Sequence, residues 1–206
     1  MKKIASPLFQ DLSEAELDTL AAAGHLRTRQ FAKHEVIFRA GSCVREIGIV
    51  LRGSVHIENL DLWGTKSILS SVGAGQAFAE TYAFCGEALM VDAVAAEHCE
   101  ILFLHTAAFT DARIEPALQD KLLRRLLAVS MRKNLSLSQR IFCTTPKTVR
   151  GRLLTYFSAQ AARCGRMAFE VPFNRQQMAD YLNLDRSALS KELCKMRDEG
   201  LLEFDK

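Results

Sequence analysis

From Arg27 to about Leu104 apolar residues come in short runs broken by turn residues: "EVIFRAGS", "EIGIVLRGSVHIENLD", "WGTKSILSSVGAGQAF" and "VDAVAAEHCEILFL". Gly41, Gly53, Gly64, Gly73, Gly75 and Gly86 punctuate them. Short strands between regularly placed turns predict an antiparallel barrel or sandwich. Ahead of it, "LSEAELDTLAAAG" reads as a short helix. Ser13 stands three residues before Glu16, the spacing of a capping box, and Gly24 closes the segment.

After Leu104 the texture changes. The stretch from Phe109 to Cys143 has Pro116 near its start and no Gly, which predicts one long helix. Along it Leu123, Leu127, Ser130, Asn134, Leu137 and Ile141 alternate four and three apart, a heptad seam. So long a seam fits pairing with a second copy better than covering a small barrel. The polar pair Ser130 and Asn134 either fixes register or marks where something sits against the helix.

"TTP" at 144–146 ends that helix. "KTVRGRLLTYFSAQAARCG" starts another, apolar at Val149, Leu153, Leu154 and Phe157. "MAFEVPFN" alternates as a strand does, and "EGLLEF" reads as a turn and a strand. Between these lie two short amphipathic helices in "RQQMADYLNLDRSALSKELCKM". The first is apolar at Met178, Ala179 and Leu182, the second at Leu189, Leu193 and Met196. Asn174 is placed to cap the first, and Asn183 stands in the turn, where Asn tolerates a left-handed backbone.

Arg186, Ser187, Ser190 and Lys191 stand on the open face of the second helix. Two short helices with a tight turn, the second cationic outward, form a helix-turn-helix. The major groove of B-DNA admits one helix, whose first residues reach base edges. Arg186 can pair bidentately with guanine, Ser187 and Ser190 are short enough to approach bases or phosphates, and Lys191 can neutralise a phosphate. Asn174, Arg175 and Gln176, at the start of the first helix, would meet a phosphate through backbone N–H groups. The flanking strands would make the unit winged.

The composition adds bounds. Of 206 residues 49% are hydrophobic, enough for a sizeable core, and the net charge of +3 is too mild to name a partner. Its distribution says more. Lys121, Arg124, Arg125, Arg132 and Lys133 follow one another with no acid between, and Arg140 to Arg166 holds no Asp or Glu. Such a local field suits phosphate. The cysteines at 43, 85, 99, 143, 164 and 194 form no CxxC pair. There is no signal-peptide pattern and no apolar window of membrane length. A reduced, cytoplasmic protein with mostly structural thiols and no metal site is expected.

The whole chain resembles the Crp/Fnr family of bacterial transcription regulators, most strongly through "VPFNRQQMADYLNLDRSALSKELCKMRDEGLLEF". The resemblance implies an α+β fold: an antiparallel, jelly-roll-like β-roll over residues 1–108 as effector sensor, a dimerisation helix over 109–143, and a winged helix-turn-helix over 144–206. It implies a homodimer on a two-fold symmetric DNA operator, with RNA polymerase as a further partner and no membrane. Arg186, Ser187, Ser190 and Lys191 become the base or phosphate readers.

It also implies a phosphate-binding cassette in "GAGQAFAETYAFCGEALMVDAV". Cyclic-nucleotide sensors of the family read FGE there, followed by an Arg and a Ser or Thr. Phe78, Ala79 and Glu80 keep the first part with Ala for Gly. Leu89 and Met90 stand where the Arg and hydroxyl belong. An anionic phosphate would be desolvated there without a cation, which disfavours cAMP. Leu137 before Ser138 also replaces a Thr-Ser pair that touches the base.

Iron–sulfur sensing requires a tight N-terminal cysteine group, and the first cysteine is Cys43. Haem sensing would draw on His25, His34, His56, His98 or His105, none with distinguishing context. The remaining expectation is a small, apolar or aromatic effector, such as a phenol, with no certain cofactor. Its lining would be Phe78, Glu80, Tyr82, Phe84, Leu89 and Met90, aided by Ser130 and Asn134. These residues as plain roll core are the bland alternative. Cys85, in the expected hairpin tip, is read as inert. An enzyme would draw on Glu80, Cys85 and His98, which belong to no nucleophile or metal motif. A ligand-binding module without DNA function is opposed by the intact face from Arg186 to Lys191.

Overall fold

The structure, a computed structural model, describes residues 4–60 and 66–204, so Gly64 lies outside the described residues. The chain forms two compact units, residues 1–131 and 132–206, and the division falls inside the long helix.

In the first unit, helix α1 (Glu14–Ala22) precedes strands β1 (Leu26–Phe31), β2 (Val36–Phe38), β3 (Glu46–Arg52), β4 (Val55–Leu60), β5 (Lys66–Val72) and β6 (Ala77–Phe78). Helix α2 (Glu80–Cys85) comes next, then β7 (Asp92–Ala95), β8 (Cys99–His105) and the start of α3 (Pro116–Thr144). The strands make two antiparallel four-stranded sheets, ordered β1-β8-β3-β6 and β2-β7-β4-β5. The α1 capping box forms: the Glu16 N–H donates to Ser13 Oγ at 3.2 Å, and the Ser13 N–H donates to Glu16 Oε2 at 2.7 Å.

Period-two alternation feeds two cores at once. On β8, Ile101 and Phe103 point between the sheets, where Phe31, Val50, Val55, Val72, Phe78 and Ala95 meet them. Leu102 and Leu104 point the other way, with Ile47 and Ile49 of β3, onto α1 and the first turns of α3. The central strands are therefore apolar on both faces, which explains their near-continuous hydrophobic text. Aromatic rings cross the inner core in a row, with Phe78–Phe38, Phe38–Phe103 and Phe103–Phe31 centroids 5.7, 5.6 and 6.1 Å apart. Gly48 is required by this row: a Cβ there would lie 2.3 Å from the Phe78 ring.

The second unit contains the end of α3, then α4 (Val149–Cys164), α5 (Arg175–Leu182) and α6 (Arg186–Asp198). Its core joins Cys143, Leu153, Tyr156, Met178, Ala179, Leu182, Leu189, Leu193 and Met196.

Three expectations are corrected. The long helix begins at Pro116, not near Phe109. A 3-10 turn, Thr106–Phe109, comes first, and Asp111 then holds a turn by accepting the Arg113 N–H at 2.9 Å. Pro116, with no N–H to lose, fits a first helical turn. Second, Cys85 does not sit at a hairpin tip. It ends α2, closed by Gly86 at φ 74, and six residues are too few to reveal a helical period. Third, "MAFEVPFN" and "EGLLEF" form no β-ladder among the described residues. A strand needs a hydrogen-bonding partner, and here Val171, Phe173, Leu202 and Phe204 instead lay their apolar side chains on the helical core. Among the described residues the helix-turn-helix is flanked by irregular segments, not by wing strands.

Candidate nucleic-acid interface

The helix-turn-helix is fixed by local chemistry at both ends of each helix. Asn174 caps α5: its side chain accepts the Gln177 N–H at 2.9 Å, and Gln177 Oε1 accepts the Asn174 N–H at 2.9 Å. Asn183 ends α5 in the left-handed region, φ 56 and ψ 52. The Leu184 N–H then reaches back to the Ala179 carbonyl at 2.9 Å, a Schellman-type closure. Asp185 caps α6 by accepting the Ala188 N–H at 2.9 Å. Leu184 alone separates the two caps, which is why the turn is so short.

Long-range arginines set the rest. Arg152 of α4 donates to the Leu182 and Asn183 carbonyls at 3.1 and 2.8 Å, and to that of Pro146 at 2.8 Å. Arg140, near the end of α3, donates to the Asp180 and Tyr181 carbonyls. The carbonyl end of α5 thus meets two cations, which its unpaired oxygens and dipole favour. Arg150 of α4 braces α6, donating to Glu192 at 2.5 Å and to both Glu199 oxygens at 2.8 and 3.0 Å. The paired carboxylates push the guanidinium pKa up, and Arg150 holds Glu199 below its usual range. So Arg140, Arg150 and Arg152, part of the expected phosphate-binding field, are spent inside the unit.

What remains outward is the expected face of α6. Arg186, Ser187 and Lys191 are exposed and Ser190 is half-buried. Arg186 and Lys191 make no hydrogen bond or ion pair among the described residues. The Ser187 hydroxyl donates to Asp185, whose carboxyl falls below the usual range because of that bond and the Ala188 N–H. Ser187 is therefore better placed to accept from a base than to donate. On α5 the Gln176 amide donates to Asp180 at 2.8 Å, and the Arg175 guanidinium lies over the Phe204 ring at 4.4 Å. Asp185, Arg140, Arg150, Arg152 and Phe204 were not singled out by sequence. The cap at Asp185 was legible from its type and position; the arginine bonds to α5 and α6 link residues 30 to 49 apart and leave no local signal.

The expected effector residues do not converge on one surface. Phe78, Glu80 and Leu89 are buried, Tyr82 is half-buried, and Phe84 and Met90 are exposed. Phe78 belongs to the aromatic row, and Phe84 packs edge-on to Phe109. Ser130 is half-buried and Asn134 exposed, accepting from Ser138 at 3.4 Å. Ala79 sits at φ 61, in the region where a Gly is at ease. Of the histidines, His25 is buried with its Nε2 at 2.7 Å from Asp111, and His105 Nδ1 accepts the Ala107 N–H at 3.0 Å. The Arg113 guanidinium and N–H, then His25, hold the Asp111 carboxyl far below its usual range. Cys99 and Cys143 are buried and the other four cysteines exposed, so structural thiols are the minority.

On α3, Leu118, Leu122 and Leu126 are buried on the first unit's core. The expected seam residues Leu123, Leu127, Leu137 and Ile141 are about half exposed, at 47, 56, 58 and 58%, and Met131, Leu135 and Phe142 are exposed beside them. No described helix is long and apolar enough to cross a membrane.

Two family profiles match. Residues 28–113 match a cyclic nucleotide-binding domain, and residues 151–206 match a Crp-like helix-turn-helix domain. No curated protein sequence matches the chain. Among solved structures it is similar to the Thermus thermophilus catabolite activator protein at 23% identity, covering 98% of this chain and 91% of that one with a TM-score of 0.50. It is similar to FixK2 of Bradyrhizobium japonicum at 19% identity, covering 88 and 89%, TM-score 0.53. It is also similar to the c-di-GMP responsive global regulator CLP of Xanthomonas campestris at 18% identity, covering 94 and 96%, TM-score 0.56.

Proposed function

The chain belongs to the Crp/Fnr family of DNA-binding transcription regulators, and on that premise we propose that it acts as a homodimer on a two-fold symmetric operator, its affinity set by a small effector in the β-roll. The observation that carries the reading is the division of labour among cations. Arg140, Arg150 and Arg152 lock the helix pair, while Arg186 and Lys191 stay exposed and unpaired on α6. A scaffold domain has no reason to hold such a helix rigid and leave its leading arginine free. Arg186 reads a base edge, Lys191 neutralises phosphate, and Ser187 and Ser190 allow close approach. Asn174, Arg175 and Gln176 present the α5 N-terminus to the backbone.

The dimer forms along Leu123, Leu127, Leu137 and Ile141, which are exposed on a single chain and heptad-spaced. The dimerisation helix then carries a change in the roll, spanning residues 1–108, to the DNA-binding part from 144 onward. The effector is not an anionic cyclic nucleotide. Leu89 is buried where the resemblance puts a phosphate-binding Arg, and the nearest charges in sequence, Glu87 and Asp92, are acidic. A small apolar or aromatic compound meeting Tyr82, Phe84 and Met90 on the outer side of the cassette fits better. RNA polymerase is the protein partner such a regulator would engage.

The test is a selection from random duplexes, followed by affinity measured at several salt concentrations. Enrichment of a two-fold symmetric sequence with a steep salt slope supports the reading. Absence of enrichment, with and without small molecules from a cell extract, would sink it.

A further inference from the structure

We infer that Phe204 is the platform that aims the Arg175 guanidinium at a DNA phosphate, an inference that rests on the operator-binding reading. Arg175 is the first residue of α5, beside N–H groups that have no partner within the helix. Its guanidinium lies 4.4 Å from the centroid of the Phe204 ring and makes no hydrogen bond or ion pair among the described residues. Arg197 approaches the same ring at 5.6 Å, but its Nε and Nη2 already donate to Asp198 at 3.1 and 2.9 Å.

A guanidinium seated over a ring spends none of its N–H donors on that contact. That arrangement suits a bidentate phosphate contact. The ring attracts the cation through its quadrupole and restricts a side chain that would otherwise lose much rotamer freedom on binding. Phe204 is itself anchored, partly buried on the helical core beside Leu202. The segment expected to be a wing strand is thus a floor under a phosphate-facing arginine. A mere lid on the core would need only an apolar residue; a floor under a cation needs an aromatic one.

The experiment compares full-length Phe204→Leu, Phe204→Met, Phe204→Tyr, Arg175→Ala and the Phe204→Leu/Arg175→Ala double variant on the selected operator. Phe204→Leu should weaken binding about three- to tenfold and make the slope of log K against log salt shallower by about one per protomer. Phe204→Tyr should bind like the parent, and the double variant should be no weaker than Arg175→Ala alone. Phe204→Met is a second non-aromatic filler should the Leu variant fold poorly. Parental affinity and slope in either filler variant, or additive losses in the double variant, would overturn the platform. An Arg175→Ala protein with parental binding removes the platform and leaves the regulator standing. A parent chain that enriches no duplex removes both.

Discussion

Arg140 donates its Nε–H to the carbonyl oxygen of Tyr181 at 3.0 Å, and its Nη2 to that of Asp180 at 2.9 Å. The donor stands near the end of α3 and the acceptors in the last turn of α5, just before the turn that launches α6. The guanidinium carbon is also 5.9 Å from the Tyr181 ring. The end of α3 is thereby bolted to the first helix of the helix-turn-helix, and α5 cannot tilt away from it without breaking two charge-assisted bonds.

Replacing Arg140 by Ala should cost about 1.5–3 kcal/mol of stability, the usual worth of bonds to a charged donor. Urea unfolding of the full chain measures it. Operator affinity should fall with it. Arg140→Lys restores the charge but not the planar fork, so it should recover only part of both. Unchanged unfolding and unchanged affinity in Arg140→Ala would show that the bolt holds nothing.

Arg186→Ala should weaken binding to the selected operator by about 1–3 kcal/mol and relax preference at one position in each half-site. Competition between the operator and random duplex separates base reading from phosphate contact. An equal loss on both would assign Arg186 to the backbone.

How far these residues were legible follows from how local their signals are. Ser13 with Glu16, Asn174, and Asn183 in the left-handed turn act within four residues, and each takes the expected role. The alternation of the strands and the double-sided burial of β8 follow from period two alone. The failures have a common cause. Pro116 and Asp111 reset the start of α3 through a turn that composition hides, and α2 is shorter than two turns. The segments around Val171 and Leu202 alternate like strands, yet alternation records a buried face, not the presence of a ladder. The field from Arg140 to Arg166 read as one basic surface because net charge does not reveal which arginines donate inward.

The exposed apolar row on α3 predicts its own disruption. Leu127 is 56% exposed on one chain, so Leu127→Glu should leave the monomer's core intact and abolish pairing. A carboxylate facing its symmetry mate in an apolar seam is costly. Light scattering should give half the parental mass with parental secondary structure. An unchanged mass would place the dimer contact elsewhere, or nowhere.

Ala79 holds φ 61 at the entrance to α2 with no side-chain cap. A left-handed L-residue carries about 1–2 kcal/mol of strain, and Gly gives back part of that in unfolded-state entropy. Ala79→Gly should therefore stabilise the chain by about 0.5–1 kcal/mol, read as a rise in Tm of a few degrees. A lower Tm would mean that the methyl group earns more in packing than the backbone loses.

Tyr156 lies at the centre of the second unit's core. It is 1% exposed and ringed by Phe157, Phe173 and Tyr181, and among the described residues its hydroxyl has no partner at full hydrogen-bond geometry, the Gln160 side chain being near enough only to pull its pKa slightly down. A buried hydroxyl without a partner costs about 1 kcal/mol or more, so Tyr156→Phe should be as stable as the parent or more stable near neutral pH. Burial, and to a lesser extent Tyr181, push the Tyr156 hydroxyl up to about 12. The sign follows from linkage: with its folded pKa above the unfolded value of about 10, the group's contribution is fully present below pH 10. It is lost as pH rises through about 12, because the unfolded chain releases its proton first. Urea unfolding at pH 7 and pH 11 should show the parent losing stability and the Phe variant losing less. The remaining slope belongs to Tyr181 and to the Cys143 thiol, both of which burial also raises. Equal losses in the two proteins would mean that Tyr156 ionises as freely folded as unfolded.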